Sequence, residues 1–276
     1  MKSTITRVAL ILFVGFVVMV QSAHAQATSA EEIMGRSQSA YHYAGADAKG
    51  KLTMELIDRN GEKRVRVLTM LRRNQESGRD QKYFMYFHEP GDVRRFTFMV
   101  WKYPAREDDR WIFVPAVDLI RRIAADDKYS SFVGSDFSYE DVSGRDAAED
   151  THTLVREEKL GDQEAFVIES VPREAAAFTK RVSWIDKENF LPLKEEYYDA
   201  QNELQRVFTA HRIEDIAVGE GSNRRVYPTV MKRTMRNVKT GHHTEVTVDS
   251  VAYDTGLKDA DFSERRMRRP PRSWIR

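Results

Sequence analysis

The side chains with the widest chemical reach are scattered in this chain. Among its seven histidines, His42, His88, His152 and His211 stand apart, and His24 lies in the N-terminal segment. His242 and His243 are adjacent, so on a strand they point to opposite faces and are poorly placed to share a metal. No HExxH or similar spacing occurs. The acid pairs Asp108-Asp109, Asp126-Asp127 and Glu140-Asp141 read as solvated loop charge, although sequence spacing alone does not exclude a glycosidase-like carboxylate pair. Gly134-Ser135-Asp136 lacks the second glycine of a nucleophile elbow. Neither GxGxxG nor a Walker loop is present. No cofactor is implied, and a hydrolase built on Asp136 is the weakest reading. Binding by apolar surface is left as the stronger chemistry.

The ends and composition bound where such binding takes place. Lys2 and Arg7 precede an apolar run from Val8 to Val20 and the small-x-small triplet Ala23-His24-Ala25, the three-part pattern of a secretory signal peptide cleaved after Ala25. The run is shorter than the roughly 20 residues that span a bilayer. The chain has no cysteine, so no disulfide holds it and its signal offers no thiol for lipidation. A core must therefore hold the roughly 250 remaining residues. In a Gram-negative cell this describes an exported protein of the periplasm. Without Lys2 and Arg7, 42 basic residues face 43 acidic ones, a balance that disfavours nucleic acid as a partner. Basic residues crowd only near the end, at Arg265, Arg266, Arg268, Arg269, Arg272 and Arg276, as a solvated tail or a contact for anionic headgroups.

The elements that must shape the binding surface are mainly strands. Residues 28–41 read as a helix, with Ser29 as N-cap and Glu31 and Glu32 favoured by the helix dipole. Period-two alternation then takes over at Leu52-Met54-Leu56, Val65-Val67, Tyr83-Met85-Phe87, Phe96-Phe98-Val100 and Trp111-Phe113. It continues near 152–159, 164–170, 181–186, 191–199, 204–213, 227–236 and 244–253. Asp58-Arg59-Asn60-Gly61, Lys159-Leu160-Gly161-Asp162 and Lys239-Thr240-Gly241-His242 supply hairpin turns, and His88-Glu89-Pro90-Gly91 another turn. The expectation is a mainly β, α+β fold, with about 11 strands in one antiparallel sheet that must curl or be covered. Residues 126–141 alternate poorly and read as loop with short helical turns. Residues 143–151 read as a loop or local lid. A curled sheet of this size can enclose apolar surface and hold an apolar ligand.

Trp111-Ile112-Phe113-Val114-Pro115, Arg121-Arg122-Ile123 and Ser131-Phe132-Val133-Gly134-Ser135-Asp136-Phe137-Ser138-Tyr139-Glu140-Asp141 together resemble the signature block of the LolA-like outer-membrane lipoprotein-sorting family. Ala30–Met34 resembles its opening helix, Tyr86–Val93 an F-x-x-P-x-D-x-x-G stretch, and Asp261–Arg266 its closing segment. Arg94-Arg95 stand where that stretch usually has small residues and glycine. The resemblance covers nearly all of residues 26–276 as a single domain. It implies a half-open antiparallel β-barrel with a helical lid over an apolar cavity. It also implies a non-catalytic carrier that binds acyl chains of a lipid or lipoprotein and moves them across the periplasm, in transient contact with membrane. Members of this branch look like companions of RND-type exporters, so an accessory subunit of such a transporter is the alternative.

The inward candidates for the cavity are Met54, Leu56, Val65, Val67, Phe96, Phe98, Trp111, Phe113, Trp184 and Phe208. A one-residue register error exchanges the two faces of any strand. The motif residues Trp111, Pro115, Arg122, Gly134, Ser135, Asp136, Phe137, Tyr139 and Asp141 are expected to build structure at the rim, with Asp136 and Asp141 capping or anchoring it.

Overall fold

A computed structural model describes residues 28–76 and 79–274. The expected signal peptide and Arg276 lie outside the described residues. Helix α1 spans Ala30–His42, and Ser29 accepts the Glu32 N–H at its N-cap. Thirteen strands follow: β1 Asp47–Ile57, β2 Lys63–Asn74, β3 Gln81–Glu89, β4 Thr97–Lys102, β5 Asp109–Val114, β6 Leu119–Ile123, β7 Asp150–Leu160, β8 Gln163–Pro172, β9 Lys180–Asp186, β10 Pro192–Tyr198, β11 Leu204–Val218, β12 Arg225–Asn237 and β13 His243–Tyr253. Two short helices complete the fold: α2, Tyr139–Ser143, and α3, Glu264–Arg268. Among the described residues, no helix is long and apolar enough to cross a membrane.

The strands form one open sheet in the order β6-β5-β4-β3-β2-β1-β13-β12-β11-β10-β9-β8-β7. Every named pairing is antiparallel, and β1 joins the last strand β13. Thirteen strands replace the expected 11 or so. The short strand Leu119–Ile123 escaped the period-two reading because its Arg121-Arg122 pair masks the alternation. Turn chemistry follows the expected hairpin between β1 and β2: Gly61 has φ +87°, and Asp58 Oδ1 accepts from the Asn60 and Glu62 N–H groups.

β6 and β7 are consecutive in the chain yet lie at opposite edges of the sheet. The segment between them, residues 124–149, therefore has to bridge from one edge to the other, and it carries α2. Phe132, Phe137, Tyr139 and Val142 from this segment pack into the main core, with Leu52, Met54, Leu56, Leu68, Met85, Phe98, Phe208 and Val246 of the sheet. α1 lies on the same side, where Ile33 and Met34 meet Ile168 and Ile185.

The opposite face of β2–β5 has its own cover. Leu71, Phe84, Tyr86, Met99 and Phe113 bury Phe262, Met267 and Trp274, and the Phe84 and Trp274 rings meet edge-on at 5.5 Å. The arginine-rich end is thus not a solvated tail as far as Trp274. Its apolar positions dock on the sheet while Arg265, Arg268 and Arg269 stay exposed.

Candidate ligand cavity

Between the sheet and its cover lies a cavity of about 140 Å³. Leu52 and Met54 of β1, Leu68 and Met70 of β2, Met85 of β3 and Val246 and Val248 of β13 form much of its wall. Tyr41 and His42 from the end of α1, with Phe132, Phe137 and Val142 from the bridging segment, close it. An engineered apolar cavity of about 150 Å³ stays dry and takes up benzene, so this space suits an apolar segment of that size.

The expected inward residues divide by strand. Met54, Leu56, Phe98 and Phe208 are buried in the core on the concave side, and Phe96 packs against its margin. Of these, Met54 lines the cavity. Phe98 is instead enclosed by Phe132 at 5.4 Å and Tyr139 at 5.1 Å. Val65 is 42% exposed and Val67 is half-buried, both on the opposite side. On β2 the concave positions are Arg66, Leu68, Met70 and Arg72. Arg66 faces Met54 across the β1 ladder and pairs with Asp92. A charged residue at an inward position disguised the parity. Trp111 and Phe113 face the C-terminal cover, because both faces of β5 are buried and alternation cannot rank them. Trp184 packs with Ala165, Val167 and Leu193 on the other face and donates its indole N–H to Glu158.

The motif residues sit at the ends and along the bridge. Pro115 opens a 3-10 turn after β5, and exposed Arg122 pairs with Asp109. Gly134 has φ +81°, and buried Ser135 donates to the Phe137 carbonyl. Asp136 accepts the Thr244 hydroxyl at 2.7 Å and contacts His242 Nδ1 at 2.6 Å. Asp141 forms a capping box with Ser138 and pairs with Arg206 of β11 at 2.6 Å. Polar bonds from the sheet thus fasten the bridge at several points.

α1 is fastened by residues that period-two reading passed over. Arg72 donates to the His42 and Ala44 carbonyls, and Gln81 donates to the His42 carbonyl at 2.8 Å. Lys102 reaches across to the Gly144 carbonyl. The His42 ring lies against Gly144, so close that a Cβ there would come within 2.7 Å of it. Burial first, and then the cationic Lys102 and Arg72, push the His42 imidazole down to about 3. Burial also raises the Tyr41 hydroxyl. The available signal was the alternation Leu68-Met70-Arg72, which places one arginine in register with two cavity-lining apolar residues. Among the described residues, no group of three or more His, Cys, Asp or Glu could hold a metal ion.

An open antiparallel sheet, wrapped over an apolar core and spanned by the chain that joins its two edges, defines a half-barrel fold. The family model that matches, over residues 79–269, carries the description "uncharacterized protein". No curated protein matches the chain. Solved structures similar to it include a domain from Vibrio parahaemolyticus described as an outer membrane lipoprotein-sorting protein. It is 27% identical, with a TM-score of 0.78, covering 87% of this chain and 98% of that one. A DUF1329 family protein from Desulfovibrio piger is 25% identical, with a TM-score of 0.78 and coverage of 86% and 97%. A LolA superfamily protein from Nitrosomonas europaea shares the fold at 16% identity, with a TM-score of 0.65 and coverage of 87% and 99%. The chain belongs to the family of the model that matches residues 79–269, and it has the half-barrel fold of the LolA superfamily structure.

Proposed function

We propose that this chain is a periplasmic carrier that binds acyl chains of a lipid or lipoprotein in the 140 Å³ cavity and moves them towards the outer membrane. The observation that carries the reading is an apolar cavity whose cover is fastened to the sheet by a few polar bonds. An acyl chain in water costs about 0.8 kcal/mol per exposed methylene, so a carrier must shield that surface and still release it. The signal-peptide pattern supports export, and the lipoprotein-sorting description of the Vibrio structure supports the cargo class.

In this reading α1 and residues 124–149 act as the lid. The cavity holds only a benzene-sized segment, so loading a long chain requires the lid to move outwards. Arg72, holding the carbonyls at the end of α1, acts as one latch, and Arg206, holding Asp141, as another. Met54, Met70 and Met85 give the wall flexible, polarizable side chains that tolerate varied chains. The function needs no catalytic group. An inner-membrane RND-type transporter is a proposed partner, with transient contact to the membrane.

Mass spectrometry of lipid extracted from natively purified protein tests the reading. Near-stoichiometric acyl lipid is expected. A protein that is repeatedly empty, and that captures a membrane complex instead, points to an accessory subunit and sinks the carrier.

A further inference from the structure

Arg233 of β12 lines the apolar cavity, and its side chain makes no hydrogen bond or ion pair among the described residues. The other buried or half-buried strand arginines on the concave side are all engaged. Arg66 pairs with Asp92 at 3.1 Å, Arg110 with Asp108 at 2.6 Å, Arg181 with Asp150 at 3.3 Å and Arg206 with Asp141 at 2.6 Å, while Arg72 holds two backbone carbonyls. Arg233 is half-buried, so its guanidinium keeps contact with water while it borders the apolar cavity, and an anion entering the cavity can pair with it. The carboxylate and two of the hydroxyls that share the cavity wall are already committed. Asp141 serves Arg206 and the Ser138 N–H, and the Thr229 and Tyr253 hydroxyls bond each other at 2.8 Å.

The sheet itself parts beside this residue. β12 pairs with β13 only over Lys232–Arg236. From Arg225 to Val230, β12 is laddered to β11, while β13 from Val248 to Tyr253 is laddered to β1. Pro228, at the parting, has no N–H to offer a neighbouring strand. Pro228, Val230, Val248 and Val251 all line the cavity there, and the Tyr227 and Tyr253 rings, 4.7 Å apart, span the gap further out. The unpaired cation therefore stands where apolar cavity meets parted strands.

Resting on the carrier reading above, we propose that the cargo is an amphiphile with one acidic head, a carboxylate or phosphate monoester, that pairs with Arg233. Its apolar chain lies along Met54 and Met85, and its head sits at the parting of β12 and β13. A planar guanidinium accepts either acid in a two-pronged geometry. A neutral or cationic amphiphile leaves the charge unpaired.

The test is competition binding on the full mature protein, with palmitate, hexadecyl phosphate, methyl palmitate and hexadecyltrimethylammonium as probes. Wild type is expected to bind the two acids about ten- to a hundredfold more tightly than the ester, the scale of a charge-assisted hydrogen bond. Arg233→Gln is expected to bring acid and ester within about twofold of each other by weakening the acids, and Arg233→Lys to restore most of the preference. Preference for palmitate or for hexadecyl phosphate distinguishes a carboxylate from a phosphate head, and either supports the proposal. Equal binding of acid and ester by wild type, or a preference that survives Arg233→Gln, overturns it and leaves the carrier reading standing. Failure of all four probes to bind overturns both.

Discussion

Arg206 of β11 donates to Asp141 at 2.6 Å, joining the far wall of the sheet to the N-terminal turn of α2. Asp141 is already the capping residue that receives the Ser138 N–H at 2.7 Å, so one carboxylate both forms the helix and fixes it to the sheet. Asp141→Asn keeps a hydrogen-bonding shape but removes the charge. It is expected to cost about 1–3 kcal/mol and to speed hydrogen exchange at amides 130–144 more than in β1–β3. Equal protection of the two regions would detach this pair from control of the bridge.

Acid is expected to weaken the fold through His42. Its ordinary value of 6.5 falls to about 3 in the folded protein, so between those values the unfolded chain binds the extra proton. Stability contributed by the neutral ring is fully present above pH 6.5 and is lost progressively as pH falls towards 3. The loss is on the order of 5 kcal/mol. Buried Glu140 has its carboxyl raised and contributes a slope of the opposite sign. The comparison is therefore wild type against His42→Gln, whose denaturant midpoint should fall less steeply over this range. Parallel pH curves would contradict the assignment.

Gly144 has φ +78° and faces the His42 ring at distances where a Cβ does not fit. Gly144→Ala should lose about 1–3 kcal/mol from backbone strain and more from the clash. In a His42→Ala background the clash disappears, so the two substitutions should be non-additive. A double-mutant cycle measures this, and additive losses would mean that the ring does not pin the bridge.

None of the four tryptophans lines the cavity: Trp101, Trp111 and Trp274 belong to the opposite-face cluster under the C-terminal cover, and Trp184 to the cluster with Leu193. A brominated fatty acid that binds should therefore leave native tryptophan emission nearly unchanged, while emission from Met85→Trp should be quenched. Strong quenching in wild type would place the ligand on the other face.

The β-rich class and most strand positions were legible because alternation and Asn-Gly or Gly-Asp turns are local signals. Which face turned inwards was legible only where one face is polar. On β1, Met54 and Leu56 alternate with Thr53 and Glu55, and the concave side is clear. On β5, Trp111 and Phe113 meet a C-terminal cover, so both faces are apolar and the pattern carries no direction. On β2, Arg66 and Arg72 occupy inward positions because Asp92 and two backbone carbonyls receive them, partners that only the fold brings near. The bridge hid for a different reason: that residues 124–149 cross the open side follows from β6 and β7 lying at opposite edges, a long-range fact with no local signature. Arg233 was missed likewise, since an arginine in a strand reads as solvated until its neighbours are known.

The central claim is that acyl chains lie in the space beside Met54. The most direct measurement is native mass spectrometry of wild type and Met54→Trp, each exported and purified without detergent. The indole takes up cavity volume, so wild type should carry about one acyl lipid per chain and the folded variant at least tenfold less. A wild type that is empty, or a folded Met54→Trp that retains undiminished lipid, would contradict the account.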